Sequence, residues 1–80
     1  MNRILVVEDD RNMALGLEFN LKSEGFDVTV CSDGESGLEA LETQTFDLLV
    51  LDWMMPGMDG MEVLRRLRGR NVRIPVLLLT

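Results

Sequence analysis

The 80-residue sequence has no histidine and no tyrosine, a single cysteine (Cys31), one tryptophan and two prolines. Without histidine and with one thiol, a metal site rich in nitrogen or sulfur ligands is excluded. A lone cysteine admits no intrachain disulfide, and nothing else points to an oxidising compartment. Long apolar runs are also missing. No stretch approaches the length of a membrane span, and the apolar run Ile4 to Val7 meets Glu8, Asp9 and Asp10 at once, so it does not read as a secretory signal. A cytosolic protein with no membrane contact is the expectation. Positive charge is scarce, with 8 basic against 14 acidic residues and a net of −6, which argues against this segment gripping nucleic acid through its phosphates. There is no internal repeat, low-complexity run or linker.

What is present is unevenly distributed. All 14 acids and 3 of the bases lie in residues 1 to 62, a net of −11, whereas Arg65, Arg66, Arg68, Arg70 and Arg73 leave the remainder at +5. The arginines read as a solvated helix end that offsets the helix dipole. Eighty residues make one small domain, residues 1–80, with a thin core, since a chain this short buries roughly 60 to 65% of its unfolded surface.

The most informative stretch is FDLLVLDWMMPGMDG, from Phe46 to Gly60. Its apolar run, Leu48 to Leu51, reads as a strand buried on both faces and ends on Asp52. Pro56 fixes its own φ and Gly57 is free to take φ > 0, so a sharp turn follows, and Asp59 is placed to cap the next helix. Upstream, Arg3 to Val7 is a second apolar strand that ends on acids, Glu8, Asp9 and Asp10. A helix is predicted from Asn12 to Glu24, with Met13, Leu17 and Leu21 on its inward face, Leu15 and Phe19 on the opposite one, and Gly25 as its left-handed stop. Phe26 to Cys31 alternates apolar and polar residues as a strand at a sheet edge does. Asp33 and Gly34 mark a turn before a weaker helical stripe of Gly37, Leu38, Leu41 and Phe46. Met61, Leu64 and Leu67 place one face of a third helix on the sheet. Pro75 opens a last strand, Val76 to Leu79, which closes on Thr80.

The order is βαβαβαβ, with connections long enough for helical crossovers, so the fold class is α/β with a doubly wound parallel sheet and right-handed crossovers. The chain reads as cut in the middle of this fold, after the fourth strand. In a parallel sheet the first and third strands can be neighbours, which brings Glu8, Asp9 and Asp52 to one edge. At about 5 Å and an effective dielectric near 20, each like-charged pair costs about 3 kcal/mol, so the cluster must bind protons or a cation. Oxygen donors alone call for a hard cation, and a few carboxylates completed by water suit Mg²⁺ better than a calcium cage. A carboxylate beside such a cation is a competent nucleophile toward phosphorus.

The motifs ILVVED, LVLDWMMPGMDG and IPVLLLT together resemble the receiver domain of two-component response regulators, from Ile4 to the last residue. The resemblance implies a flavodoxin-like fold, strand order 2-1-3-4-5 in a complete domain, and a phosphoacceptor switch that is not itself an enzyme. It implies that Asp52 accepts a phosphoryl group from a histidine kinase or phosphotransfer protein. The same resemblance makes Asp9 a direct Mg²⁺ ligand, Glu8 a ligand through water, the Met54 carbonyl the third protein ligand and Thr80 the switch hydroxyl. Glu8 is one methylene longer than the aspartate many receivers carry there. The pairing of GFDV with VLLLT is similar to the branch whose output is a winged-helix DNA-binding domain, hence transcription. Receivers continue with a lysine on a fifth strand, which this sequence does not contain. A fragment that is not phosphorylated and acts only through protein binding is the alternative. An aspartate-nucleophile phosphatase is disfavoured by Met54, where a second Asp belongs, and a flavin protein by the acidic loop Glu8 to Arg11. The unpaired apolar edge of the last strand, with Leu15 and Phe19, leads to an expectation of self-association.

Overall fold

The structure, a computed structural model, describes residues 2–79. Strands β1 (Arg3–Val7), β2 (Asp27–Cys31), β3 (Leu48–Asp52) and β4 (Val76–Leu79) alternate with helices α1 (Arg11–Ser23), α2 (Gly34–Thr43) and α3 (Gly60–Gly69). All strand pairs are parallel, in the order β2-β1-β3-β4. This is the doubly wound arrangement the sequence predicts.

The central strands are the ones with unbroken apolar runs. Leu5, Val7, Leu49 and Leu51 point to one side of the sheet, where they pack with Leu38 of α2 and Val63 and Leu67 of α3. Ile4, Val6, Val28 and Val50 point to the other side, against Leu17 and Leu21 of α1. Leu5, Leu49, Leu51 and Leu67 are fully buried or nearly so. Each such side chain contributes roughly 2 kcal/mol of transfer free energy, and this burial is concentrated on the two middle strands.

Each helix begins with a capping aspartate. Asp10, Asp33 and Asp59 accept hydrogen bonds from the backbone N–H of Met13, Ser36 and Glu62, at 3.1, 2.7 and 3.0 Å. Gly25 (φ 94) stops α1 in the left-handed region, and Gly57 (φ 74) turns the β3–α3 loop, as their positions predict. Asp33 caps α2 and Gly34 is its first residue, where the sequence places the turn before that helix.

Two helix faces differ from the sequence expectation. Met13 and Met61 are exposed, at 52% and 45%, and the residues turned inward in their place are Ala14 and Val63. Ala14 stands three residues before Leu17 and Val63 four before Leu67, so each shares the inward face of its helix, and the neighbouring methionine is turned outward. The arginine cluster does lie at the end of α3 and beyond, with Arg66 and Arg68 in its last turn. Arg68 donates to the carbonyls of Val72 and Ile74, and Arg70 pairs with Glu42. At the same lower edge Arg3 stacks over Phe46, 4.9 Å from the ring centre, and donates to Gln44 and the Thr45 carbonyl, which ties the α2–β3 connection to β1.

Candidate functional site

The register of the sheet builds the site. Val7 lies beside Leu51, so the residues that follow each strand, Glu8 and Asp9 after β1 and Asp52 at the end of β3, emerge at the same level of the carboxyl-end edge. One carboxylate oxygen from each of the three residues falls within 4.8 Å of the others. The sequence reading thus named the members of the cluster correctly. Asp10, the fourth acid of the region, caps α1 instead.

Glu8 is the buried member, with 4% of its surface exposed, while Asp9 is open to solvent and Asp52 half-buried. Its backbone N–H donates to the Cys31 carbonyl at 3.1 Å, and its Oε2 accepts the Asp10 N–H at 3.1 Å. Burial pushes the Glu8 carboxyl up to about 7. The Asp10 N–H opposes that shift, and the neighbouring carboxylates of Asp52 and Asp9 reinforce it. Glu8 therefore takes up its proton much closer to neutrality than an ordinary carboxylate does.

Asp52 Oδ1 accepts the backbone N–H of Met54 at 3.2 Å, which sets the rotation of its carboxylate. The Met54 side chain is exposed. Cys31 stands on the same edge, yet its thiol is pushed up by burial, by Asp33 and by Glu39, and so remains a neutral thiol rather than a thiolate ligand. The available donors are thus carboxylate and backbone oxygens, which fit a hard divalent cation such as Mg²⁺. Thr80, named from the sequence as the switch hydroxyl, lies outside the described residues.

Comparison with known proteins gives this edge its context. The family model of the response regulator receiver domain matches residues 4–80. The chain belongs to the response regulator receiver family. Among curated relatives, the alkaline phosphatase synthesis transcriptional regulatory protein PhoP of Bacillus subtilis is 45% identical over 78 residues, 98% of this chain and 32% of that protein. Among solved structures, the response regulator TrrA of Thermotoga maritima in complex with Mg²⁺-BeF superposes with a TM-score of 0.94 at 36% identity, covering 100% of this chain and 70% of that one. A complex of the histidine kinase ThkA with TrrA gives a TM-score of 0.92 at 36% identity and covers 100% of this chain and 69% of that one. The receiver sequence spans about one third of the length of the curated relatives it matches. Among the described residues, no helix is long and apolar enough to cross a membrane.

Sequence reasoning missed one member of this edge. Gly60, at the start of α3, sits directly against the backbone of Asp52 and Trp53. The Asp-Gly pair in the motif signalled a helix cap, and nothing in the sequence signals the close approach.

Proposed function

We propose that this receiver accepts a phosphoryl group on Asp52 from the phosphohistidine of a kinase or phosphotransfer protein, with Mg²⁺ held at the carboxylate cluster. The modification then switches the output of a longer response regulator. The observation that carries the reading is the convergence of Glu8, Asp9 and Asp52, from two adjacent strand ends, within 4.8 Å. The complexes of TrrA with Mg²⁺-BeF and with ThkA support the choice of cation and of partner. The relatives named as transcriptional regulators support transcription as the output.

In this reading a carboxylate oxygen of Asp52 attacks phosphorus. The new O–P bond forms as the P–N bond to the donor imidazole breaks, and the nitrogen leaves with the electron pair and takes up a proton. The Met54 N–H bonded to Oδ1 orients the carboxylate. Asp9 would hold the cation directly and Glu8 through water, and the Met54 carbonyl would complete the protein's share. Mg²⁺ supplies positive charge that offsets the like charges of carboxylate and phosphoryl group. Thr80 would supply the switch hydroxyl that the family resemblance assigns to it.

Trp53, next to Asp52, reports on the site. Titration with MgCl₂ should change its fluorescence in the wild type and leave it flat in Asp9→Asn. A wild type that ignores Mg²⁺ would sink the metal reading and favour a receiver acting through protein binding alone.

For the 80-residue segment taken by itself, we also propose self-association. The outer side of β4 pairs with no strand among the described residues, Leu77 is 54% exposed, and Phe19 on α1 is 72% exposed. Burying about 400 Å² of such surface contributes on the order of 10 kcal/mol before association entropy is subtracted. Light scattering behind a sizing column at tens of micromolar should show an oligomer, and a compact folded monomer would contradict the edge argument.

A further inference from the structure

At the start of α3 the chain runs so close to the strand end bearing Asp52 that no side chain fits between them. A Cβ added at Gly60 would lie 2.6 Å from the Asp52 carbonyl oxygen and 2.9 Å from the Trp53 Cα. Both are backbone atoms, so no change of rotamer relieves the clash. Gly60 is not among the residues with positive φ. What the position requires is therefore the missing Cβ and not the freedom of the glycine backbone. The contact is fixed from both sides: the Gly60 N–H donates to the Trp53 carbonyl at 3.0 Å, and the Trp53 N–H donates to the Leu79 carbonyl at 3.0 Å. Asp59, capping the first turn of α3, holds the helix end in place.

We infer that Gly60 is a positioning residue for Asp52: by letting α3 rest on the Asp52–Trp53 peptide, it sets the angle at which the Asp52 carboxylate meets the cation held with Glu8 and Asp9. The inference rests on the function proposed above. Mg²⁺ demands near-ideal octahedral geometry, so tilting the peptide that carries one ligand is felt at the metal even while the sheet stays folded. Changes just outside a ligand shell typically cost about 10- to 100-fold in metal affinity.

Gly34 provides the comparison. A Cβ there would meet Val63 Cγ2 at 2.7 Å and Met58 Sδ at 3.1 Å, a similar crowding against side chains rather than against the backbone of Asp52. Gly60→Ala and Gly34→Ala would be compared with the wild type in three measurements: thermal melting, the MgCl₂ midpoint from Trp53 fluorescence, and the phosphoryl adduct gained from acetyl phosphate with MgCl₂. Both variants should melt lower. Gly60→Ala should raise the Mg²⁺ midpoint about tenfold and lose most of the adduct. Gly34→Ala should stay within about twofold of the wild type in both, since its crowding does not reach a ligand. A Gly60→Ala protein with the wild-type midpoint overturns the inference, and so does an equal weakening in Gly34→Ala. Failure of Gly60→Ala to fold where Gly34→Ala folds also overturns it, because glycine is then a requirement of the fold itself. A wild type that does not respond to MgCl₂ overturns the metal reading and this inference with it, whereas a responsive wild type and an unmoved Gly60→Ala overturn this inference alone.

Discussion

In the complete response regulator, Asp52→Asn should take up no phosphoryl group from acetyl phosphate and Mg²⁺ under conditions in which the wild type gains one adduct. The substitution keeps the shape of the side chain and removes the nucleophile, since an amide oxygen carries little of the negative charge that attack on phosphorus needs. The variant should still fold. Asp52 is half-buried at the end of β3, and the burial that holds this strand comes from Leu49, Val50 and Leu51 rather than from the acid. Removing one charge from the cluster also relieves repulsion rather than adding to it. The effect on phosphorylation is therefore all-or-none, with no cost in stability to confuse it. Intact-mass measurement on both proteins reads the result. An equal adduct on Asp52→Asn would assign the acceptor to another residue, with Asp9 the nearest exposed carboxylate.

The parts of this molecule legible in its sequence are those set by local chemistry or by runs of one residue class. Ile4 to Val7 and Leu49 to Leu51 announce central strands because burial on both faces leaves no position for a polar side chain. Gly25 and Gly57 announce turns because the left-handed region favours them. The carboxylate cluster follows from two strand ends closing on acids, and the register of β1 with β3 then fixes its geometry. What was not legible depends on distances between elements. The inward place of Ala14 and Val63, with Met13 and Met61 outside, follows from the rotation of each helix about its axis against the sheet, and spacing alone admits the methionines equally, since Met13 lies four residues before Leu17 and Met61 three before Leu64. The role of Gly60 depends on a backbone contact with Asp52, eight residues earlier in the chain. Arg3 joins segments more than forty residues apart, through Gln44 and Thr45, and no local signal marks it. Glu8 read as one of three similar acids, yet it is the one withdrawn from water.

That burial gives Glu8 the opposite pH behaviour from most carboxylates. Its carboxyl is raised from an ordinary value of 4.5 to about 7 in the folded protein, chiefly by loss of water and then by Asp52 and Asp9. Below pH 4.5 the group is protonated in both folded and unfolded states and contributes no pH dependence. Between 4.5 and 7 the folded state binds the proton that the unfolded state has released, so stability falls as pH rises. Above 7 the charge is borne in both states and the loss levels off, at on the order of 3 kcal/mol for a shift of this size. Glu8→Gln keeps the shape and removes the titration, and so should flatten this window. At pH 8 without divalent cation it should melt on the order of 10 °C higher than the wild type, given the few degrees per kcal/mol typical of a domain this small. Mg²⁺ should reverse the order, because a cation that binds the folded wild type stabilises it by mass action and has one carboxylate fewer to hold it in the variant. Melting curves at pH 5 and pH 8, with and without MgCl₂, separate these effects. If the wild type is as stable as Glu8→Gln at pH 8 in the absence of metal, the Glu8 proton does not carry the cluster's charge penalty, and repulsion among the three acids is relieved by another route.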